Sequence, residues 1–445
     1  MNADVIVVGA GVVGSSIAFH LCERRAGQVL ILDQSAAGQG MSARSSALVR
    51  MHYSFPSEVR LAVKSLEIFR NWTEITGAPS LFRKTGFVRI VPAEETDRLR
   101  QNVAMQRSLG ATVGLVSAQE LQEIEPDWRV DDVVVAAYEP ESGYGDGAGV
   151  ATDFLAAARR QGASYQPGAQ VRRLLVSGGA VQGVETDAGL LEADKVVMAT
   201  GPWTRPLLAA VGVLVPIETE YHQVGFLKPP TWKKWPTSAC IDSITKVYTR
   251  SEVGEFLLVG DFYGRRGVDP DDFPQTASSE TLTELAERAS RRIPILEDAR
   301  IGRGVTGVYD QTPDARPLLG EAPGVKGLYV AAGFCGMGFK ISPAVGLCVA
   351  ELIADGASRT VDLTPFRPDR FALGQPIRAE FEYQDDLLLQ AVPLEQLLHG
   401  AVRLVDRHVD EGPASAFAMA TRPNGRRPTT CGRSSSGRSA SPRVS

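Results

Sequence analysis

The chain has 445 residues, a formal net charge of −5, 44% hydrophobic and 22% charged residues. That length exceeds one compact core and sets an expectation of two or three domains, while the ordinary composition excludes a disordered or fibrous protein. The mild acidity gives no electrostatic reason for a nucleic-acid partner or an anionic membrane, and no apolar run reaches the ~18–20 residues of a membrane span.

Residues 4–33 (DVIVVGAGVVGSSIAFHLCERRAGQVLILD) hold the first motif. An apolar run ends at Gly9, and Gly9, Gly11 and Gly14 form GxGxxG. A helical pattern that includes Val12 and Val13 follows, and a second apolar run closes on Asp33, 24 residues after Gly9. Strand, tight turn, helix, strand and acid in this order form a dinucleotide-binding fingerprint. Gly9 permits the turn, Gly11 admits a pyrophosphate to the backbone, and Gly14 allows helix and strand to pack closely. The helix N-terminus offers free N–H groups and a partial positive charge to phosphates. Asp33 is expected to accept from ribose hydroxyls and to repel a 2′-phosphate. The same stretch lacks the basic flank of a signal peptide and reads as part of the fold.

A polar loop over 34–46 follows, then a helical pattern from 57 to about 76. Residues 83–143 read as strands (FVRIVPA, VVVAAYEP) around a charged helix over 94–109. A helix is expected over 152–161 with Thr152 as N-cap. Residues 171–189 read as a meander with Gly-Gly and Asp-Ala-Gly turns, leading into KVVMATGPWT at 195–204. Strands QVGFLK, KVYTR and FLLVGD and a helix over 279–292 occupy 215–300, and βα patterning returns at 327–354. The expected fold is α/β, with a Rossmann-like nucleotide domain assembled from 1–82, 144–214 and 301–370. A substrate domain on a mixed or antiparallel sheet takes 83–143 and 215–300, with a C-terminal extension over 371–411. Residues 412–445 are Gly-, Ser-, Pro- and Arg-rich and read as a disordered tail. Cys22, Cys240, Cys335, Cys348 and Cys431 are odd in number and show no CxxC spacing, which fits a reducing cytoplasm and opposes a disulfide framework or zinc site. With the five histidines dispersed, no metal site is expected.

The fingerprint, VVMATG at 196–201 and GLYVAAGFCGMGFKISPAVG at 327–346 together fit a long dinucleotide contacted by several strand ends, FAD rather than NAD. Together with SSALVRMHY and TPDARPLLG, these stretches resemble the D-amino-acid-oxidase-like FAD-dependent oxidoreductases, most nearly the sarcosine oxidase branch, over roughly residues 4–370. The resemblance implies cofactor contacts at Gly9, Gly11, Val12, Val13, Gly14, Asp33, Gln34, Ser42, Arg44, Ser45, Ser46, Val171, Ala199, Thr200, Gly201 and Trp203. It implies further contacts at Gly333, Phe334, Cys335, Gly336, Met337, Gly338, Phe339 and Lys340. It also implies a clamp for a substrate carboxylate at Arg50 and Lys340, the planar fork of one and the compact charge of the other converging on one anion.

His52, Tyr53, Tyr248 and His222 are further pocket candidates, with His52 and Tyr248 placed in the catalytic set. Members of this branch carry a flavin-linking cysteine just before the TPD segment; Gly307 stands there in this chain, so non-covalent FAD is expected, with Cys335 and His52 left open as anchors. The strand FLLVG lacks the lysine that activates oxygen in monomeric sarcosine oxidases, leaving O₂ or an external acceptor as the oxidant. The implied activity is oxidation of the C–N bond of a small carboxylated amine by hydride transfer to flavin N5, giving an imine. The alternatives are a 2-hydroxy-acid dehydrogenase, with His52 or His222 as base, and a flavin-binding subunit of a larger electron-transfer complex.

Overall fold

A computed structural model describes residues 3–384. A mixed α/β architecture is built on two large sheets, as expected. The first has six strands in the order Leu318–Glu321, Leu328–Ala332, Lys195–Met198, Val5–Val8, Val29–Asp33 and Ser164–Pro167. All neighbours are parallel except the edge strand Leu318–Glu321. Its central strands are apolar throughout because both faces are covered. Val5, Val7 and Ile31 pack with the helices Val12–Glu23, Gly147–Arg160 and Gly338–Asp355. Ile6, Val8, Leu30 and Leu32 point the other way, onto Leu174, Val181 and Val184 of an antiparallel meander. The first turn of that meander is Gly178-Gly179, both at positive φ (+59° and +76°), as a two-residue hairpin turn demands.

The second sheet has ten strands and is mostly antiparallel. Its spine is Glu218–Lys228, which pairs with Phe256–Asp261 on one side and Val305–Gln311 on the other. Beyond Phe256–Asp261 lie Val247–Glu252, Ala239–Asp242, Phe87–Ile90, Ala136–Glu139 and Gly114–Val116. Helix Ser279–Arg292 covers one face, where Leu285 and Ala289 pack on Val88, Ile90 and Val259. Strand alternation therefore turns Phe87, Arg89, Ile241 and Tyr248 to the opposite face. A small sheet pairs Leu48–Val49 and Arg83–Lys84 with Gly143–Tyr144, and its first strand ends immediately before Arg50.

Several expected boundaries move. The helix placed at 152–161 starts at Gly147, because Asp146 caps it by accepting from the N–H groups of Ala148 and Gly149; Thr152 lies inside it. The single helix over 57–76 is two, Pro56–Arg70 and Trp72–Thr76, broken at Asn71. The division at 300/301 cuts through the second sheet, since Val305–Gln311 pairs with Glu218–Lys228. In the 371–411 extension, Phe371, Ile377 and Tyr383 are buried. The rest of that extension and the 412–445 tail lie outside the described residues. No described helix is long and apolar enough to cross a membrane.

Candidate functional site

Two cavities meet between the sheets. The larger, about 540 Å³, opens at the ends of the parallel strands. Gly9 has φ +103°, and a Cβ there would lie 2.4 Å from the Ala199 carbonyl oxygen. Gly11 forms part of the cavity wall, and its added Cβ would meet only Ser42 Oγ, at 3.2 Å. Ser42 Oγ accepts from Val12 N–H at 3.0 Å. The Asp33 carboxylate accepts from Ala10 N–H (2.7 Å), Ser35 N–H (2.8 Å) and Ser35 Oγ–H (3.0 Å), so the acid that lines the cavity also ties down the glycine turn.

Val12, Val13, Gln34, Arg44, Ser45 and Val171 line the same space, as do Ala199, Thr200, Gly201 and Trp203. Phe334, Gly336, Gly338 and Phe339 close its far end. Gly307 is also in the wall, so the position of the linking cysteine is bare backbone. The sequence reading missed Tyr309 and Asp310, which line it too. The Asp310 carboxyl is pushed up to about 6 by burial and accepts from Gly333 N–H at 2.6 Å.

Six expected cofactor residues do not line this cavity. Gly14 and Gly333 serve packing: a Cβ on Gly14 would lie 1.9 Å from the Gly9 oxygen, and one on Gly333 2.6 Å from Thr312 Cγ2. Ser46, Cys335, Met337 and Lys340 line the smaller cavity instead, the last three at or beyond a loop that reverses at Cys335 (φ +50°) and Gly336 (φ +78°).

The smaller cavity, about 190 Å³, shares Gly336 and Tyr309 with the larger. It brings together all four expected catalytic residues, Arg50, His52, Tyr248 and Lys340, with Tyr53 and His222. Lys340 is the third residue of helix Gly338–Asp355, where the helix dipole opposes a cation. Its Nζ donates to the Gly336 carbonyl at 3.1 Å. Burial and the nearby Arg50 charge hold its pKa well below the ordinary lysine value, with Glu58 opposing them. The Arg50 guanidinium donates to the His52 carbonyl and lies 4.2 Å above the Tyr53 ring, while its Nε has no hydrogen-bond partner among the described residues.

His52 is held well below the usual histidine value by burial and by Arg89 and Arg50, and its Nε2 sits 2.8 Å from Tyr383 Oη. It is a neutral, engaged imidazole. Tyr248 is raised well above the usual phenol value by burial and by Tyr309. His222 stacks on Tyr309 at 4.1 Å, with Nε2 2.8 Å from Glu220 Oε1. Burial opposes ionisation of Glu220, but the bonds and charges of His222 and Arg266 outweigh it and lower its pKa. Glu220 is therefore a carboxylate and accepts from His222 Nε2–H, while His222 Nδ1 has no partner among the described residues.

The sequence also did not single out Glu58, Arg89, Arg316 and Tyr383 in this cavity. Arg316 lies 3.3 Å from Glu58 and 3.0 Å from Glu382. The TPD acid itself, Asp314, is structural and pairs with Arg370 at 2.7 Å. Cys335 is pushed up to about 12 by burial, and its sulfur accepts from Thr312 N–H at 3.3 Å, so it is a thiol rather than a nucleophilic thiolate.

Residues 4–352 match the family described as DAO, FAD dependent oxidoreductase. The chain belongs to that family. This DAO-family chain is 28% identical to glycine oxidase of Geobacillus kaustophilus, over 82% of its own length and 96% of that protein. It is 26% identical to 4-methylaminobutanoate oxidase (formaldehyde-forming) of Paenarthrobacter nicotinovorans, over 82% of its length but only 46% of that relative. Among solved structures, L-proline dehydrogenase from P. horikoshii superposes with a TM-score of 0.78 at 28% identity, covering 84% of this chain and 99% of that one. The DAO-family chain is thus an FAD-dependent oxidoreductase, and the resemblance read from its sequence stands.

The larger cavity has the chemistry FAD requires. Its wall includes glycine backbone at Gly9 and Gly11, bare of side chains, and the N-terminus of Val12–Glu23 adjoins it. Asp33 lines it near the fingerprint turn, and Gly336 and Tyr309 open it toward the smaller cavity.

Proposed function

We propose that the chain oxidises the C–N bond of a small carboxylated amine, an amino acid or N-alkyl amino acid, to an imine. One observation carries the reading: Arg50 and Lys340, without an ion pair among the described residues, line a small cavity adjoining the one suited to FAD. Each of these two buried basic groups disfavours charge on the other, and a substrate carboxylate between them offsets that penalty. Gly9, Gly11, Val12, Val13, Asp33, Ser42, Thr200 and Gly338 would hold the cofactor without a covalent bond, since Gly307 offers no side chain and Cys335 is a buried thiol. When bound, FAD supplies the hydride acceptor.

The residues of the chain do the remaining work. Arg50 and Lys340 orient the substrate through its carboxylate, which favours the charged form of Lys340 Nζ. The amine must be neutral before C–H cleavage, and His222, held by Glu220 at 2.8 Å, lines the cavity from which the ammonium proton has to leave. Tyr309, Tyr248 and Tyr53 wall the cavity and limit water. The names of the relatives, which refer to glycine, L-proline and 4-methylaminobutanoate, support an amine substrate. The test is turnover of carboxylated amines by Arg50→Leu and Lys340→Met holoenzymes with an artificial acceptor. Loss of one charge-assisted contact of about 1.5–3 kcal/mol raises KM roughly ten- to hundredfold. An unchanged KM in both variants refutes the clamp.

A further inference from the structure

Arg89 sits at the middle of strand Phe87–Ile90 and is 4% exposed. Its neighbours Val88 and Ile90 enter the apolar core beneath helix Ser279–Arg292, so alternation turns Arg89 to the other face, where it lines the smaller cavity. Its Nη1 has no hydrogen-bond partner, and it forms no ion pair among the described residues; its guanidinium carbon lies 4.6 Å above the Tyr383 ring. Among the described residues, the other buried guanidiniums each have a carboxylate. Arg292 has Asp242 at 2.8 Å, Arg316 has Glu382 at 3.0 Å and Arg250 has Glu252 at 2.9 Å. A buried cation left unpaired in a strand is costly, and burial is tolerated where an anion completes the site.

Phe87, one strand repeat away on the same face, lies 5.8 Å from the Arg50 guanidinium. Arg50 and Arg89 therefore line the same cavity, and the charges of both act on His52, which lines it too. One substrate carboxylate satisfies Arg50 and Lys340 and leaves Arg89 unmet. Ile241 and Tyr383 supply the walls between the charges.

We propose that Arg89 is a second carboxylate-binding residue, and that the substrate is a dicarboxylic amino acid or N-alkyl amino acid of aspartate or glutamate size. Its α-carboxylate lies at Arg50 and Lys340 and its distal carboxylate at Arg89. This rests on the amine-oxidising function proposed above.

The experiment uses FAD-loaded protein and matched pairs, N-methylglutamate against N-methylnorvaline and N-methylaspartate against N-methyl-2-aminobutyrate. The expected kcat/KM favours the dicarboxylate by about tenfold or more, the preference disappears in Arg89→Leu, and part of it returns in Arg89→Lys. A second readout needs no turnover: glutarate should perturb the flavin spectrum at about tenfold lower concentration than valerate, and Arg89→Leu should remove that difference. Equal kcat/KM within each pair, or a preference that persists in Arg89→Leu, overturns the assignment and leaves Arg89 as a cation stacked on Tyr383. If no amine of either kind is oxidised, the proposed function fails, and the glutarate–valerate comparison still decides the role of Arg89. Should Arg89→Leu not fold, the wild-type pairs and Arg89→Lys carry the test.

Discussion

Two glycines of the fingerprint should respond to the same methyl group in opposite ways. Gly14→Ala adds a Cβ that lands 1.9 Å from the Gly9 carbonyl oxygen, a backbone atom of the turn itself. Helix and strand must then part by about an ångström, disturbing a close-packed interface. The gain in helix propensity is about 0.5–1 kcal/mol, and the overpacking cost is about 1–3 kcal/mol or more, so the apoprotein should lose stability by roughly 1–2 kcal/mol. Gly11→Ala is different. Gly11 has ordinary extended backbone (φ −69°, ψ 178°), and the new methyl meets only Ser42 Oγ at 3.2 Å. The apoprotein should therefore change by no more than about 0.5 kcal/mol. That methyl, however, projects into the wall of the larger cavity, and a dinucleotide lying against the backbone would lose about 1.5–3 kcal/mol, a ten- to hundredfold rise in Kd. Thermal unfolding of the apoprotein and titration of FAD by fluorescence quenching separate the two effects. Wild-type FAD affinity in Gly11→Ala, or an apoprotein as destabilised as Gly14→Ala, refutes the placement of the cofactor over Gly11.

Three further outcomes follow from the site. Lys340 is held well below the ordinary lysine value by burial and Arg50, so a carboxylate ligand should bind with uptake of a proton. Affinity then falls as pH rises toward 10.5, and Lys340→Met removes the dependence; calorimetry in buffers of different ionisation enthalpy measures it. Glu139, which accepts from Met51 N–H at 2.8 Å, is raised by burial from 4.5 to about 7. Between those values the folded chain holds a proton that the unfolded chain has released, so stability falls as pH rises. Glu139→Gln should flatten the pH 4.5–7 stability profile, by up to about 3 kcal/mol over that window, in denaturant melts. Acid precipitation of the holoenzyme should release all flavin to the supernatant; flavin that stays with the pellet after washing contradicts non-covalent attachment.

The fingerprint was legible because its glycines answer local demands: a positive φ at Gly9 and a close approach at Gly14. The cofactor fold followed from combining it with two other strand ends. Sheet membership was harder to read. Val305–Gln311 has the same local pattern wherever it pairs, and its partner Glu218–Lys228 lies some eighty residues away. The start of Gly147–Arg160 was hidden by glycines at its first and third positions, which argue locally against a helix, although Asp146 marked the cap. Arg50 and Lys340 were found through resemblance, and Arg89 was missed for a physical reason. An arginine alternating with valine and isoleucine reads as the solvent face of a half-buried strand, and only the second sheet's position over the cavity makes that face an interior. Glu58 and Arg316 were invisible for the same reason, since each is buried against residues distant in sequence.

The central claim is that a carboxylated amine reduces a flavin held in this chain. Purified protein loaded with FAD should be mixed without oxygen with a panel of amino and N-alkyl amino acids, and separately with the matching 2-hydroxy acids, while the visible flavin band is followed. Bleaching by amines and not by hydroxy acids is the predicted result. Bleaching by hydroxy acids alone, or by neither set, contradicts it.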